Sequence, residues 1–391
     1  MSTTGGPIPR AAAPAHASRA VRAELTLLVA FDVAAAIDLA AAEKLLAVGG
    51  GAHRQGIGPS NRGPAYLDYR PLPLRLSGSV EPVAVGEGAA TEPVSDAVIF
   101  DFGAVSLTYR LRYNGPLGGL LGLSEALAEP PAVIAAARGR LRTLISALAP
   151  AISRPAESEL MECYLIVQIV DGDLAVTARG REIDGLLAGV LRSERRALSE
   201  DEIADANSAR IAYSPDDLAL IDWNAAVLID RESGGSDDVR AVLEYANVEL
   251  LEMRVLDDRL DHILDESYRA VTEETSRRAG LGRILPWPGR AGPLGRVAQM
   301  QMDAALLYEG VNNAIKLVGD QYLARVYRLA ANRFHLPERD QNIERKLRVL
   351  EGIYAKLEDW QAAVRMEVLE WIIIILIAVS IVLPFLLPGG K

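Results

Sequence analysis

From Glu24 the run ELTLLVAFDV is almost unbroken in its apolar residues, the pattern of a strand buried on both faces. AAAIDLAAAEKLLAV after it has the period of a helix. YLDYRPLPLRLSG, DAVIFDFGAVSLTYRLRY and ECYLIVQIVDG add strand-like runs, short and rich in β-branched and aromatic residues. Between the last two, PPAVIAAARGRLRTLISALAP reads as a helix opened by Pro130 and Pro131, where a missing N–H costs little. This alternation over residues 24–180 predicts an α+β fold class, with a small N-terminal sheet domain of about four or five strands. GGGAHRQGIGPSNRGP interrupts it over residues 49–64. The segment follows a helix and lacks Gly-Lys-Ser/Thr, so it reads as a flexible loop rather than a phosphate cradle.

Strand signals become sparse after Asp173, and residues 181–235 read as short helices and a docking segment. EIDGLLAGVLRSERRA is helical, and Ser199 with Glu202 forms a capping box for the next helix. SPDDLALIDWNAAVLID could dock apolar partners; the preferred reading is a core strand or helix turn around Trp223.

Residues 236–335 are expected to form long antiparallel helices. Ser236 is a good N-cap, and Asp237 and Asp238 complement the helix dipole. Leu243, Ala246, Leu250, Met253, Asp257, Leu260 and Leu264 then follow in steps of three and four, the seam of a coiled coil. Arg277, Arg278 and Gly280 mark its end, and a second helix is expected from Arg296 to Arg333, stopped at Pro337. A stalk over residues 336–370 repeats the seam through Ile343, Leu347, Leu350, Tyr354 and Leu357, and runs on into LEWIIIILIAVSIVLPFLLPGGK. A seam of that length requires either the preceding helices or another copy of the chain.

From Trp371 to Leu387 every residue is apolar except Ser380 and Pro384. The run reaches about 26 Å as a helix against a hydrocarbon core of roughly 30 Å. Its apolar residues cover all faces, whereas a core helix normally keeps a polar stripe. Residues 371–387 are therefore expected to be one C-terminal transmembrane helix, with Trp371 and Leu387 as its boundaries.

The formal net charge of −11 gives no bulk attraction for nucleic acid, and DNA is not an expected partner. The one cysteine excludes an internal disulfide, which fits a reducing, cytosol-facing body. Residues 1–23 contain Arg10, Arg19 and Arg22 but no acid; they read as a disordered leader, with an organelle transit peptide as the rival. If the HLP segment is a tight turn, the loop before the second long helix returns to the membrane surface. There Arg283, Arg290 and Arg296 flank Trp287 with no acid between, a pattern suited to anionic membrane lipids on the cytoplasmic side. A solvated loop accounts for the same residues, and phosphate contacts to RNA have only scattered arginines and one tryptophan in their favour.

Catalytic chemistry finds no foothold. The four histidines show no metal-ligand spacing, and the acids around His262 read as a solvated helix face. Cys163 lies in a strand and reads as a small core residue. Carboxylate pairs such as Glu249 with Glu252 read as ordinary charged-helix residues. No catalytic residue, metal ligand or cofactor is expected, and the chain reads as no enzyme.

LEWIIIILIAVSIVL, with IDWNAAVLID, LEYANVELLEMRVLDDRLD and VIFDFGAVSL, resembles the family of the required-for-meiotic-nuclear-division protein, a domain of unknown function in bacteria and mitochondria. The resemblance runs from about residue 24 to 387. It implies an α+β domain, long helices, a C-terminal span, homo-oligomers and support of translation, with the ribosome or another protein as partner. The inserts around residues 49–64 and 279–296 depart from the family. The resulting expectation is a non-enzymatic, single-span membrane protein that self-associates through its stalk and tethers or organises a partner. An oligomeric ion-transport assembly is the architectural rival, although the second span and Gly-Met-Asn signature of magnesium channels are missing.

Overall fold

The computed structural model describes residues 19–47, 52–54, 72–86, 88–155, 158–171, 181–230, 236–278, 302 and 321–386. The chain divides into two compact units. The first comprises Met1–Val255 with Glu309–Arg339, and the second Leu256–Tyr308 with Asp340–Lys391.

The first unit begins with β1 (Ala20–Asp32), β2 (Ala34–Ile37), α1 (Leu39–Ala47), β3 (Ala52–Arg54) and β4 (Leu74–Ser79). A small hairpin, β5 (Ala84–Gly86) and β6 (Ala89–Ala90), precedes β7 (Val94–Ile99) and β8 (Ala104–Pro116). Next come α2 (Gly119–Ala128), α3 (Pro131–Leu148), β9 (Ile152–Pro155), β10 (Met161–Asp171), α4 (Arg181–Arg192) and α5 (Glu200–Ala206). Three strands follow, β11 (Arg210–Ile211), β12 (Leu218–Ile221) and β13 (Ala225–Ile229), and then the long helix α6 (Ser236–Arg278). α7 (Gln321–Arg333) and α8 (Leu336–Leu386) complete the described chain.

The architecture is mixed α and β, built on a sheet larger than expected. Nine strands lie in the order β11-β12-β13-β10-β1-β8-β7-β4-β3. β1 sits centrally, antiparallel to both β8 and β10, and β13 joins β10 in parallel. Three boundaries therefore move. The sheet does not stop near residue 180, because β11 to β13 lie in the stretch expected to hold only short helices and a docking segment. The docking segment forms β12 and β13, in line with the core-strand reading. β1 begins at Ala20, inside the expected leader, and Ala52–Arg54 within the glycine-rich loop forms β3.

One sheet face is apolar: Leu25, Leu27 and Val29 of β1, Leu107 and Leu111 of β8, and Leu165 and Val167 of β10 form a single core with helices α1 to α5. Each such side chain contributes roughly 1.5–3 kcal/mol by burial. Pleating puts the alternate residues on the other face. There Ala30, Val98, Phe100, Phe102 and Ala104 meet Tyr245, Val248, Leu251 and Val255 of α6. The first part of α6, where a coiled-coil seam was expected, is thus a covering layer of the sheet. The turn between β7 and β8 requires Gly103: its φ is +102°, and a Cβ there would lie 1.8 Å from the Ala34 carbonyl oxygen.

The second unit pairs the remainder of α6 with α8. Asp257 accepts from Asn342 Nδ2 at 2.9 Å, and Lys346 Nζ lies 2.6 Å from both Asp257 and Asp261. These contacts advance together along both helices, so the two run in the same direction. Leu260, Ile343 and Leu350 are fully buried, so the remainder of α6 covers the first turns of the α8 seam. The helix is continuous from Leu336 to Leu386, as expected of a stalk that runs on into the apolar segment.

Candidate functional site

Among the expected site residues, Arg283, Trp287, Arg290, Arg296 and Leu387 lie outside the described residues. Trp371 is on α8 and 58% exposed; Ile372, Ile373, Ile374, Ile375 and Leu376 are exposed too, at 47–62%. Exposure on consecutive positions means that every face of the helix is bare. The described apolar stretch, Leu369–Ile381, reaches about 20 Å. Among the described residues no single helix is long and apolar enough to cross a membrane, so the expected span is not shown by them. α2 and the Pro131–Ala151 segment would be long and apolar enough together, bent by 50°, but Leu120, Leu127, Val133 and Leu141 are buried in the sheet core.

The polar face of the sheet holds a buried ionic network beneath α6. Asp96 of β7 takes Arg110 Nη2 at 2.5 Å, Arg75 Nη1 at 3.3 Å and the Ser77 hydroxyl at 2.6 Å. Glu244 of α6 receives Arg75 Nη2 at 3.0 Å and the Ser106 hydroxyl at 2.7 Å. Arg240 continues the chain to Glu24 at 2.8 Å and Gln168 at 3.1 Å. Burial pushes the Asp96 carboxyl up, but Ser77, Arg110 and Arg75 together outweigh it and hold it below the usual carboxylate range. Farther along α6, Tyr327 donates to Glu249 at 2.6 Å. Glu249 and Glu252 are both buried, which corrects their reading as ordinary charged-helix carboxylates. The network lies between two layers, so it fastens α6 to the sheet.

A second cluster sits at the other end of the sheet. Asp222, in the turn between β12 and β13, is buried between Arg192 Nε at 2.7 Å and Arg333 Nε at 3.1 Å. Burial raises its carboxyl despite the hydrogen bond from Trp223 N and the two guanidiniums. Both arginines also reach Asp205, at 2.5 and 2.9 Å, which holds that exposed carboxyl below its ordinary value, Arg333 first. Trp223 is exposed, with the Arg192 guanidinium 5.3 Å from its ring centroid.

Beside this cluster α4, α5, β11, β12 and α7 enclose an open cavity of about 780 Å³. Arg181, Arg210 and Arg325 supply cationic groups to its wall, and Asp184 and Glu200 acidic ones. Ile203, Ile211 and Leu218 make an apolar lining. Sequence reasoning missed this site because its arginines come from three distant segments.

Among the described residues no group of three or more His, Cys, Asp or Glu could hold a metal ion. Burial, and then the charges of Glu162 and Glu129, push the Cys163 thiol up to about 12, so it stays protonated and unreactive at neutral pH. His262 is exposed; the Asp258 carbonyl and carboxylate raise its pKa.

Residues 22–237 match the family of the N-terminal domain of uncharacterized protein MJ0711. That segment takes in the nine strands of the sheet, apart from the first two residues of β1, and ends where α6 begins. Uncharacterized protein MJ0711 of Methanocaldococcus jannaschii is 24% identical over 204 residues, 52% of this chain and 60% of the relative. The chain thus spans about 60% of the length of the curated relative it matches. No solved structure matches. These matches show a family of unknown function; they show neither the meiotic-nuclear-division family nor a C-terminal span. The chain belongs to the family of the MJ0711 N-terminal domain, which covers more than half of its length.

Proposed function

We propose that the protein is a non-enzymatic membrane-attached adaptor. The end of α8 enters a bilayer, and the sheet-bearing unit presents a binding surface on the cytoplasmic side. The observation that supports this reading is the helical stretch Trp371–Ile381, whose large apolar side chains are bare on every face. In water such a surface is a strong drive to association, and lipid satisfies all faces at once. The apolar sequence continues to Leu387, giving about 26 Å, which a bilayer accommodates by slight thinning. Arg283, Trp287, Arg290 and Arg296 are assigned to the lipid surface, where their charge places the body on the cytoplasmic leaflet.

Copies of the chain associate through the part of the α8 seam beyond Leu350, and the assembly tethers a further protein. The resemblance to the required-for-meiotic-nuclear-division family adds the ribosome as the candidate partner, and support of translation as the role.

Flotation with zwitterionic liposomes, to which the arginine loop has no charge attraction, tests the attachment. The full chain is expected to float, and a chain ending at Glu370 to stay at the bottom of the gradient. A truncated chain that floats as well as the full one, or a full chain that does not float, would overturn the reading.

A further inference from the structure

The cavity beside α5 combines surplus positive charge with an apolar lining. Three guanidiniums face two carboxylates in its wall, in a chain whose net charge is −11. Arg181 at the head of α4 is paired with Glu200 at the head of α5, which closes one side of the wall and neutralises both. Arg210 and Arg325 have no carboxylate partner among the described residues. Both are exposed, so an incoming anion meets them before the apolar lining behind.

Each of these arginines is held on a firm element. Arg210 belongs to β11, the terminal strand of the sheet, and pairs across it with Leu220. Arg325 is on α7, which packs against β11 and β12. Arg333 anchors that helix through its contacts with Asp205 and Asp222. Neighbouring α5 is fixed by the Ser199 cap, whose hydroxyl accepts from Glu202 N at 3.2 Å. The two guanidiniums therefore stand on a pre-formed frame, which lowers the ordering cost of binding.

Asn207 supplies an independent sign. Its Nδ2 donates to the carbonyls of Asp184 at 3.0 Å and Ile203 at 2.8 Å, which fixes the orientation of the amide. Its Oδ1 is then left buried with no hydrogen-bond partner, in a residue that lines the cavity. A buried acceptor without a donor is costly, and a ligand hydroxyl or amine relieves it.

We infer that this cavity binds a small amphipathic anion, a phosphate or carboxylate head on an apolar body that carries a hydroxyl or amine able to donate to Asn207 Oδ1. The head sits between Arg210 and Arg325, and the body lies on Ile203, Ile211 and Leu218. The site is complete within the first unit, so it operates whether or not α8 enters a bilayer.

Calorimetric titration of the full chain in zwitterionic nanodiscs tests the inference, with empty nanodiscs as blank. Phenyl phosphate is the probe; benzoate, inorganic phosphate and phenol separate head from body. Phenyl phosphate or benzoate is expected to bind saturably, and to do so more tightly than inorganic phosphate or phenol. The R210A/R325A pair, both exposed and remote from the core, is expected to weaken it by about tenfold or more through loss of charge-assisted hydrogen bonds. Ala212→Glu keeps both arginines and introduces a repelling carboxylate, and is expected to have the same effect. Arg112→Ala, an exposed arginine on β8, is the control and should bind as the wild type does. Absence of saturable binding by both phenyl phosphate and benzoate would overturn the inference, as would equal affinity in R210A/R325A or an equal loss in the control.

Discussion

Residues 242–256 of α6 and 371–381 of α8 are both helical, yet their environments invert what their side chains would favour alone. The α6 stretch is buried almost throughout while carrying Glu244, Asn247, Glu249 and Glu252; the α8 stretch is aliphatic and bare. The difference lies in partners. Glu244 finds Arg75 and Ser106 across the sheet, and Glu249 finds Tyr327, so the cost of removing these carboxylates from water is offset within the fold. Nothing in the described residues covers Ile372 to Leu376. A helix can therefore be read from periodicity, whereas the medium that surrounds it depends on what lies opposite.

The largest effect is expected where the bare helix is made polar. Ile377→Asp with Val379→Asp should cost about 2.5–3.5 kcal/mol of bilayer insertion for each charge, and abolish flotation. The midpoint of chemical unfolding of the sheet-bearing unit should not move, since neither residue belongs to it.

On the other side of the comparison, Asp96→Ala leaves Arg75 and Arg110 without their shared carboxylate under α6. It should cost roughly 3–5 kcal/mol in urea unfolding. The same group sets a pH dependence. Because the folded state holds the Asp96 carboxyl below its ordinary value, its stabilisation is present above the unfolded pKa, about 4, and lost as pH falls through the lower folded value. Unfolding midpoints compared between pH 7 and pH 3 should fall less in Asp96→Asn than in the wild type.

Lys346→Ala removes the half-buried ammonium between Asp257 and Asp261 in the second unit, and about 1 kcal/mol is expected there. Hydrogen exchange of α6 amides beyond Leu256 would report it. Ser199→Ala should cost about 1 kcal/mol through the lost cap of α5, read from the thermal midpoint of the full chain.

Local signals were legible and distant pairings were not. ELTLLVAFDV announces β1, and Pro130 and Pro131 announce α3, because burial on both faces and an imino N-terminus leave marks in the adjacent residues. α2 escaped notice because GLLGLSEALA opens on glycines and has no side-chain cap. The breadth of the sheet was missed at β3 and β11, whose three and two residues are too short to leave a periodic mark. The network under α6 was beyond reach: Arg75 and Glu244 are 169 residues apart, and the ordinary look of a helical glutamate hides its partner. The same distance hides the cavity, where Arg181, Arg210 and Arg325 only become neighbours once α7 packs on β11.

Tryptophan fluorescence quenching would test the membrane reading most directly. In a full chain with Trp223, Trp287 and Trp360 replaced by phenylalanine, Trp371 is the sole reporter, and liposomes with lipids brominated at shallow or deep acyl positions supply the ruler. The account predicts blue-shifted emission and stronger quenching by the shallow bromines, as for an indole at the interface. Emission typical of water with no quenching by either lipid would contradict it.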